Sequence, residues 1–359
     1  MTTHSHEKGT GTGELAPPAY DNSAIGQRPG RITRTAPWLA GLWVGAYVPM
    51  AVLHLVRDTD PPWTHSPASA LAALTSGQVS ALIIALGLIA AAALAAVTAS
   101  RRVGRVRMGG WLLIAVGLIL TLAVADARSL SFVGYGPMLL LGLFGVGPVA
   151  TGGVSAEVIT GSLLSLGSTT AGIGMLVAGA HAVSDRGGRS LWGTPERTRL
   201  ITRWAVGIAA VIPVMYAVTR IAWTVGVPLG VSDEFLVDLG DAKWAGFGLG
   251  AFAVVGALLT LGLVQRWGEV FWSWVPVIGG RPVPVGMAVI PALFVAAIVT
   301  SAGTGFWGSV FSGHLADLPG AQEDWAAWAP EMLWPAWGIA LAVAALAYRR
   351  RRLTGTAGS

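Results

Sequence analysis

The stretch VSALIIALGLIAAAALAAVTA, residues 79–99, decides the fold class of this chain, because it runs for 21 residues without a charged side chain. A helix of about 20 apolar residues spans the hydrocarbon core of a bilayer. Similar stretches recur along the chain. The predicted spans are 36–56, 79–99, 110–127, 163–183, 204–225, 244–264, 284–301 and 331–348. The sequence therefore predicts an all-α, polytopic membrane helix bundle of about eight transmembrane helices.

The composition agrees with this prediction. Of the 359 residues, 53% are hydrophobic and 11% are charged, whereas a soluble domain carries about 25% charged residues. The chain has no cysteine, which excludes disulfides and thiolate metal sites. The net charge of +5 lies in short clusters between apolar stretches, so it predicts no nucleic-acid partner. The predicted partner is the lipid bilayer, and a small-molecule or protein partner stays open.

The basic residues predict the orientation of the chain. Nineteen of the 23 lysines and arginines fall on one side of the predicted spans. By the positive-inside rule that side is cytoplasmic. The sequence therefore predicts a multi-pass protein of the cell (plasma) membrane with both termini in the cytoplasm. Residues 1–33 are polar and predicted to form a disordered cytoplasmic tail, and residues 350–359 form a cytoplasmic C-terminal tail.

A ninth apolar stretch, residues 137–150, is too short to span a bilayer comfortably. If it did span, the arginine cluster at 186–203 would move to the outer side, against the charge rule. We therefore expect 137–150 to be a re-entrant or interfacial segment on the outer side. The aromatic and acidic stretch 302–331 is predicted to lie at the same interface.

A shift of about 166 residues brings landmarks of the second half onto the first. Trp38 then falls on Trp204, and Gly172 falls on Gly338. Both halves would begin on the cytoplasmic side, which makes the predicted repeats parallel. The predicted domains are a first four-helix repeat at 34–185, a basic cytoplasmic linker at 186–203 and a second four-helix repeat at 204–349.

Two stretches carry a resemblance to a known group of proteins. They are RIAWTVGVPLG at 220–230 and QRWGEVF at 265–271. Together they resemble actinobacterial polytopic membrane proteins of unassigned function, and the likeness covers mainly residues 200–300. The resemblance implies a membrane topology of the same kind. It implies no activity, cofactor or catalytic residue.

Arg220 is the most informative single residue, since it lies near the outer end of the fifth predicted span. One interpretation is an anchor that reaches the interface and pairs with Asp233 or Glu234. The other is a contact for an anion or substrate at the mouth of a cavity. His54 occupies a comparable place in the first half, as a proton-sensing group or a hydrogen-bonded helix end.

Three further polar residues are candidates for a cavity at the outer side. Glu157 is predicted in a glycine-rich loop, where it is either a surface carboxylate or the lining of a wet region. His314 and Asp317 lie one helical turn apart, but a third metal ligand is not evident. The sequence therefore predicts no metal, no cofactor and no catalytic set.

Three classes of function remain open. The first is a transporter-like bundle, and the second is a non-catalytic membrane scaffold. The third is a membrane-embedded enzyme that acts on a lipid or lipid-linked substrate at the outer face. The pattern favours the first two, because no triad of residues is spaced for catalysis.

Overall fold

The fold is known from a computed structural model. It describes residues 31–62, 69–71, 73–136, 140, 142, 144–145, 155–184, 195–311, 313 and 322–355, and within these ranges the side chains from residue 35 to residue 353 except that of Pro195. Within these ranges the chain is helical, and the only β-type pairing is a single bridge between Val270 and Pro282. The predicted all-α class is confirmed.

Ten α-helices make up the described part of the chain. They are α1 (Arg31–Arg57), α2 (Ser76–Ala99), α3 (Val103–Ile119), α4 (Ala127–Gly134), α5 (Ala156–Val183), α6 (Pro195–Thr224), α7 (Asp233–Leu239), α8 (Ala242–Gly262), α9 (Val285–Phe311) and α10 (Trp334–Gly355). A π-helical turn, Leu120–Val124, continues α3, and short 3₁₀ turns lie at Arg266–Gly268, Trp325–Ala327 and Ala329–Leu333.

Eight of these helices are long and apolar enough to cross a bilayer, and each overlaps one predicted span. The eight are α1, α2, α3 with its π turn, α5, α6, α8, α9, and α10 with the 3₁₀ turn before it. Many large apolar side chains on them are exposed, such as Leu88, Val211 and Leu259. Exposure of so many apolar side chains to water is unfavourable, whereas contact with lipid tails is not. The chain is therefore an integral membrane protein.

Several span boundaries differ from the predicted ones: the third, fourth and fifth spans begin earlier, and the seventh continues to Phe311, into the stretch that was predicted to be interfacial. The third span begins at Val103 and ends at Val124, since Asp126 caps the separate helix α4 by accepting a hydrogen bond from the Arg128 amide. The fourth begins at Ala156, because the Ser155 side chain caps it. The segment 137–150 is described only at residues 140, 142, 144 and 145, so the re-entrant prediction lies outside the described residues.

The first bundle is a closed ring of four helices. Helix α1 packs on α2, α2 on α3, α3 on α5, and α5 on α1. Its core contains Trp43, Ile83, Leu113 and Met175, all of them buried. The Trp43 indole donates a hydrogen bond to Ser168 across the ring at 3.2 Å. Each pair of neighbouring helices in this bundle therefore packs directly, with no open side between them.

The second bundle is an open ring. Helix α6 packs on α8 and on α10, and α10 packs on α9. Helices α8 and α9, both fully described, do not pack along their lengths. The connection between them, residues 263–284, is long, whereas residues 100–102 suffice between α2 and α3. The side of the second bundle between α8 and α9 is thus not closed by helix packing, and it is bordered by this connection and by the surroundings of the protein.

Each bundle contains a similar close contact between two helices. A Cβ atom at Gly172 would lie 2.9 Å from the Gly117 carbonyl oxygen and would also meet the Thr121 hydroxyl. A Cβ atom at Gly338 would lie 2.5 Å from the Ala296 carbonyl oxygen and would also meet the Thr300 hydroxyl. In both bundles glycine thus lets the third and fourth long helices approach closely.

The two bundles meet through α9, which packs against α4, α5 and the π turn after α3. The Thr304 hydroxyl donates a hydrogen bond to the Leu122 carbonyl oxygen at 2.6 Å. The π turn changes the backbone pattern at this place, and such turns expose carbonyl groups to side chains from other helices. This contact joins the two halves of the chain.

Candidate functional site

Arg220 is buried near the end of α6, with 8% of its surface exposed. Its Nη2 atom lies 2.6 Å from Oε1 of Glu331, which is itself buried. Sequence reasoning named Asp233 or Glu234 as the partner, and the structure pairs Arg220 with Glu331 instead. Asp233 and Glu234 are exposed in the first turn of α7, where they favour the helix dipole.

The two terminal nitrogens of Arg220 make further hydrogen bonds. Nη1 donates to the Thr219 hydroxyl at 3.1 Å and to the Ala326 carbonyl at 3.0 Å, while Nη2 also donates to the Ala327 carbonyl at 3.3 Å. The guanidinium carbon lies 4.3 Å from the ring centres of both Tyr216 and Trp223. These contacts replace the water that a buried cation loses. We call Arg220, Glu331 and these partners the arginine latch.

The arginine latch ties α6 to the turns that precede α10. Because the carbonyls of residues 326 and 327 and the carboxylate of Glu331 all accept from one guanidinium, the segment 325–333 is held against α6. Tyr135, outside the spans, lies within electrostatic range. Burial raises the pKa of its phenol above the ordinary value, and the charge of Arg220 opposes this shift. The geometry is that of a structural clamp.

The predicted cavity residues lie in three separate settings. His54 is half-buried, and its Nδ1 atom is 2.9 Å from the Thr59 hydroxyl at the end of α1. Glu157 is exposed in the first turn of α5, so the prediction that it lies in a loop is wrong. Arg220 lies in the arginine latch. His314 and Asp317 fall outside the described residues.

Asp126 and Arg128 form a local ion pair just after the third span. Arg128 lies 2.7 Å from the carboxylate of Asp126, which is fully buried. Arg128 also donates to the Pro62 carbonyl at 2.9 Å, and the Asp126 amide donates to Ser165 at 2.9 Å. Every charged atom of the pair is thus satisfied inside the fold, which indicates a structural role.

A second feature of the molecule is the gap between α8 and α9. It encloses a cavity of about 460 Å³, within the range of roughly 300–1,000 Å³ typical of small-molecule pockets. Its walls are almost wholly apolar. They include Leu259, Met287, Pro291, Val295, Trp337 and Leu341. We call this cavity the α8–α9 gap.

One end of the gap is closed by the 263–284 connection. The ring of Trp267 packs on Gly262, where a Cβ atom would lie 2.7 Å from the indole. Trp267 and Trp272 have ring centres 5.8 Å apart, and Trp272 stacks on the exposed Trp274 at 5.6 Å. Tryptophan prefers the depth of the lipid headgroups. This end of the gap lies where the candidate spans α8 and α9 end and begin, which is the depth that tryptophan favours.

The same connection is fastened by the end of α10. The buried Tyr348 hydroxyl donates to the Gly268 carbonyl at 2.8 Å. Arg351 pairs with Glu269 at 2.8 Å, and Arg352 donates to the Glu269 carbonyl at 3.1 Å and to the Val283 carbonyl at 3.2 Å. Because these bonds fix the position of the connection, they also fix the end of the α8–α9 gap that the connection closes.

Polar groups in the gap are few. Thr260 donates its hydroxyl to the Gly256 carbonyl within α8. The indole nitrogen of Trp337 is buried and has no hydrogen-bond partner among the described residues. The surface of the gap is thus almost wholly hydrocarbon. This chemistry suits an apolar chain and does not suit an ion.

A wider cavity of about 740 Å³ lies at the opposite end of α9. Its described lining includes Ala70, Ala73, Trp307, Gly308 and Phe311. Part of the neighbouring chain, residues 63–68 and 314–321, is outside the described ranges. We therefore place the candidate site in the α8–α9 gap, whose walls are all described.

Comparison with known proteins gives no relative to guide the assignment. No family model, no curated protein and no solved structure matches the chain. The resemblance to actinobacterial membrane proteins stays a prediction.

Sequence reasoning missed both Glu331 and the α8–α9 gap. Glu331 begins the last predicted span, and an acid inside an apolar segment is a signal of an internal partner. The gap left a weaker signal, which is the length of the connection at 263–284 compared with the turn at 100–102. Only the packing of α8 and α9 reveals that the space between them is open.

Proposed function

We propose that this chain is a non-enzymatic membrane protein, transporter-like or scaffold in kind, whose second bundle binds the apolar part of an amphiphilic molecule. The observation that carries the proposal is the α8–α9 gap, a cavity of about 460 Å³ with apolar walls between two membrane-spanning helices. Ordinary helix pairs in a membrane pack on each other, as all four sides of the first bundle do.

The physical reason for binding in the gap is packing. Lipid tails are as apolar as leucine, so an apolar chain gains no hydrophobic free energy when it leaves the bilayer for the protein. It gains dispersion contacts with walls that would otherwise face an unfilled space. Long-lived binding therefore requires a shape that fits a chain, and the gap supplies one between Leu259 and Val295.

The alternative, an enzyme acting on a lipid at the outer face, has less support. Its candidates would have to converge on one reacting atom. Both terminal nitrogens of Arg220 are engaged in the arginine latch, and Glu157 is exposed at the start of another helix.

Photo-crosslinking tests the proposal. The purified protein is incubated with a phospholipid that carries a diazirine in its acyl chain, and the labelled peptides are mapped after illumination. We expect labels on α8 and α9 around the gap, and their loss in Ala292→Phe, which fills the gap. Ala81→Phe on the exposed face of α2 is the matched control. Labels spread evenly over all eight spans in both variants would contradict the proposal.

We also infer that the two bundles are tandem repeats with both termini in the cytoplasm. The matching contacts of Gly172 and Gly338 support the repeat, and the arginine clusters support the orientation. Since the chain has no cysteine, single cysteines at Arg349 and Asp238 test the orientation. A membrane-impermeant maleimide added to whole cells should label the Asp238→Cys variant and leave Arg349→Cys unlabelled. The reverse pattern would contradict it.

A further inference from the structure

The rim of the α8–α9 gap carries a concentration of positive charge. Two arginines flank its lining residues in the chain: Arg266 precedes Trp267, and Arg281 lies two residues before Val283. Two more contact the lining through backbone: Arg351 donates to the Leu263 carbonyl at 2.8 Å and Arg352 to the Val283 carbonyl at 3.2 Å. We call these four residues the basic rim.

One acid accompanies the four arginines. Glu269 accepts from Arg351 at 2.8 Å, so one positive charge of the basic rim is compensated within the described part of the chain. Arg352 is held by the Tyr348 hydroxyl and by two carbonyls, which satisfy its donors without removing its charge.

Arg266 and Arg281 differ from the other two. Both are exposed, and neither side chain makes an ion pair or hydrogen bond with any residue in the described ranges. Their backbones are fixed, since the Phe271 amide donates to the Arg281 carbonyl at 3.0 Å and the Val270 amide donates to the Arg266 carbonyl at 3.1 Å. Two exposed arginines thus lie on a fixed segment whose neighbouring residues line the apolar cavity.

We propose that the occupant of the gap is an anionic phospholipid, with one acyl chain between α8 and α9 and its phosphate on Arg266 and Arg281. The inference rests on the proposed function and adds the headgroup to it. Guanidinium groups bind phosphate oxygens in a bidentate way. The exposed indoles of Trp272 and Trp274 lie on the same connection, at headgroup depth.

The two parts of the site select different parts of the ligand. The apolar walls accept any chain that fits, so they do not distinguish one phospholipid from another. The arginines distinguish the headgroups, because a net negative headgroup is attracted and a zwitterionic one carries its own ammonium group. Each arginine near an anionic surface contributes about a fivefold gain in affinity. Arg266 and Arg281 together should therefore give a preference of about 25-fold.

Lipid binding to the purified full-length chain tests this inference. Dissociation constants are measured by native mass spectrometry for phosphatidylglycerol and phosphatidylcholine with identical acyl chains. We expect the wild-type protein to prefer phosphatidylglycerol by about 25-fold. The double variant Arg266→Gln/Arg281→Gln should lose this preference while it still binds phosphatidylcholine. The matched control is Arg101→Gln/Arg105→Gln, two exposed arginines at the same end of the first bundle, which should keep the preference.

The outcomes separate the two proposals. If both lipids bind equally to the wild-type protein and Ala292→Phe abolishes both, the headgroup inference is overturned and the proposed function stands. If neither lipid binds, or if Ala292→Phe changes nothing, the proposed function itself falls. If the control pair lowers the preference as much as the Arg266 and Arg281 pair does, the charge acts across the whole face and the assignment to the basic rim is wrong.

Discussion

Removal of the Glu331 carboxylate is expected to destabilise the second bundle more than any change at an exposed acid. In Glu331→Ala the guanidinium of Arg220 stays buried, with 8% of its surface exposed, but loses the one anion that faces it at 2.6 Å. An uncompensated buried charge costs about 3–5 kcal/mol when its partner is removed. The perturbation therefore isolates the role of charge in the arginine latch.

The remaining contacts set the expected value within that range. Arg220 keeps the Thr219 hydroxyl, the carbonyls of Ala326 and Ala327, and the rings of Tyr216 and Trp223. These acceptors and rings partly offset the loss, so we expect a cost near the lower end, about 3 kcal/mol. If both charges are removed in Arg220→Met/Glu331→Leu, the cost should be much smaller, because no buried charge is left unpaired.

The free energy of unfolding is measured by titration of mixed detergent micelles with sodium dodecyl sulfate, followed by tryptophan fluorescence. Asp238→Ala is the matched control, since Asp238 is an exposed acid at the same end of the protein and its removal should cost less than about 0.5 kcal/mol. A free energy of unfolding of Glu331→Ala within about 0.5 kcal/mol of the wild-type value, or a double variant less stable than Glu331→Ala, would contradict this expectation.

Two further predictions concern packing and the first bundle. Gly338→Ala should lower the free energy of unfolding by about 1–3 kcal/mol, because its Cβ atom would lie 2.5 Å from the Ala296 carbonyl. The control is Gly207→Ala, whose Cβ atom would meet nothing within 4 Å. It should leave the midpoint of the detergent unfolding curve unchanged or slightly higher. Asp126→Ala should lower the free energy of unfolding by about 3 kcal/mol or more, since it removes a helix cap and leaves Arg128 without its anion. Asp126→Asn keeps the cap and should lower it less. Equal unfolding midpoints for the two variants would contradict this prediction.

Much of the fold followed from the sequence because membrane helices are constrained one at a time. Each must be long enough to span and must satisfy its own backbone, so eight apolar stretches predicted eight helices. The boundaries were harder to predict. The start of α5 depends on the Ser155 cap. The end of the third span depends on Asp126, whose backbone amide donates a hydrogen bond to Ser165, far along the chain. Hydropathy is insensitive to such contacts.

The site followed from the sequence only in part. Arg220 was correctly singled out, because an arginine in an apolar span requires partners. Its nearest acids in the sequence were the wrong partners, since the turn of Gly230, with φ of +69°, and the helix α7 carry Asp233 and Glu234 to the surface. Glu331 lies 111 residues away and reaches Arg220 through the contact of α6 with the segment before α10.

The α8–α9 gap depends on how two helices are placed relative to each other, so the sequence of either helix alone does not predict it. Both helices have ordinary apolar sequences, and the walls of the gap, such as Leu259 and Pro291, would be equally suitable for contact with another helix. The two helices are joined by the folded connection at 263–284, which is held in place by hydrogen bonds from Tyr348 and Arg352 of α10. Its tryptophans Trp272 and Trp274 are exposed, as suits side chains that favour the depth of the lipid headgroups.

The most direct test of the central claim is an experimental structure of the full chain in nanodiscs of phosphatidylglycerol, at a resolution that shows bound acyl chains. We expect elongated density between α8 and α9, in contact with Trp267 and Pro291, and headgroup density beside Arg266 and Arg281. Helices α8 and α9 packed directly on each other, with no density between them, would contradict it.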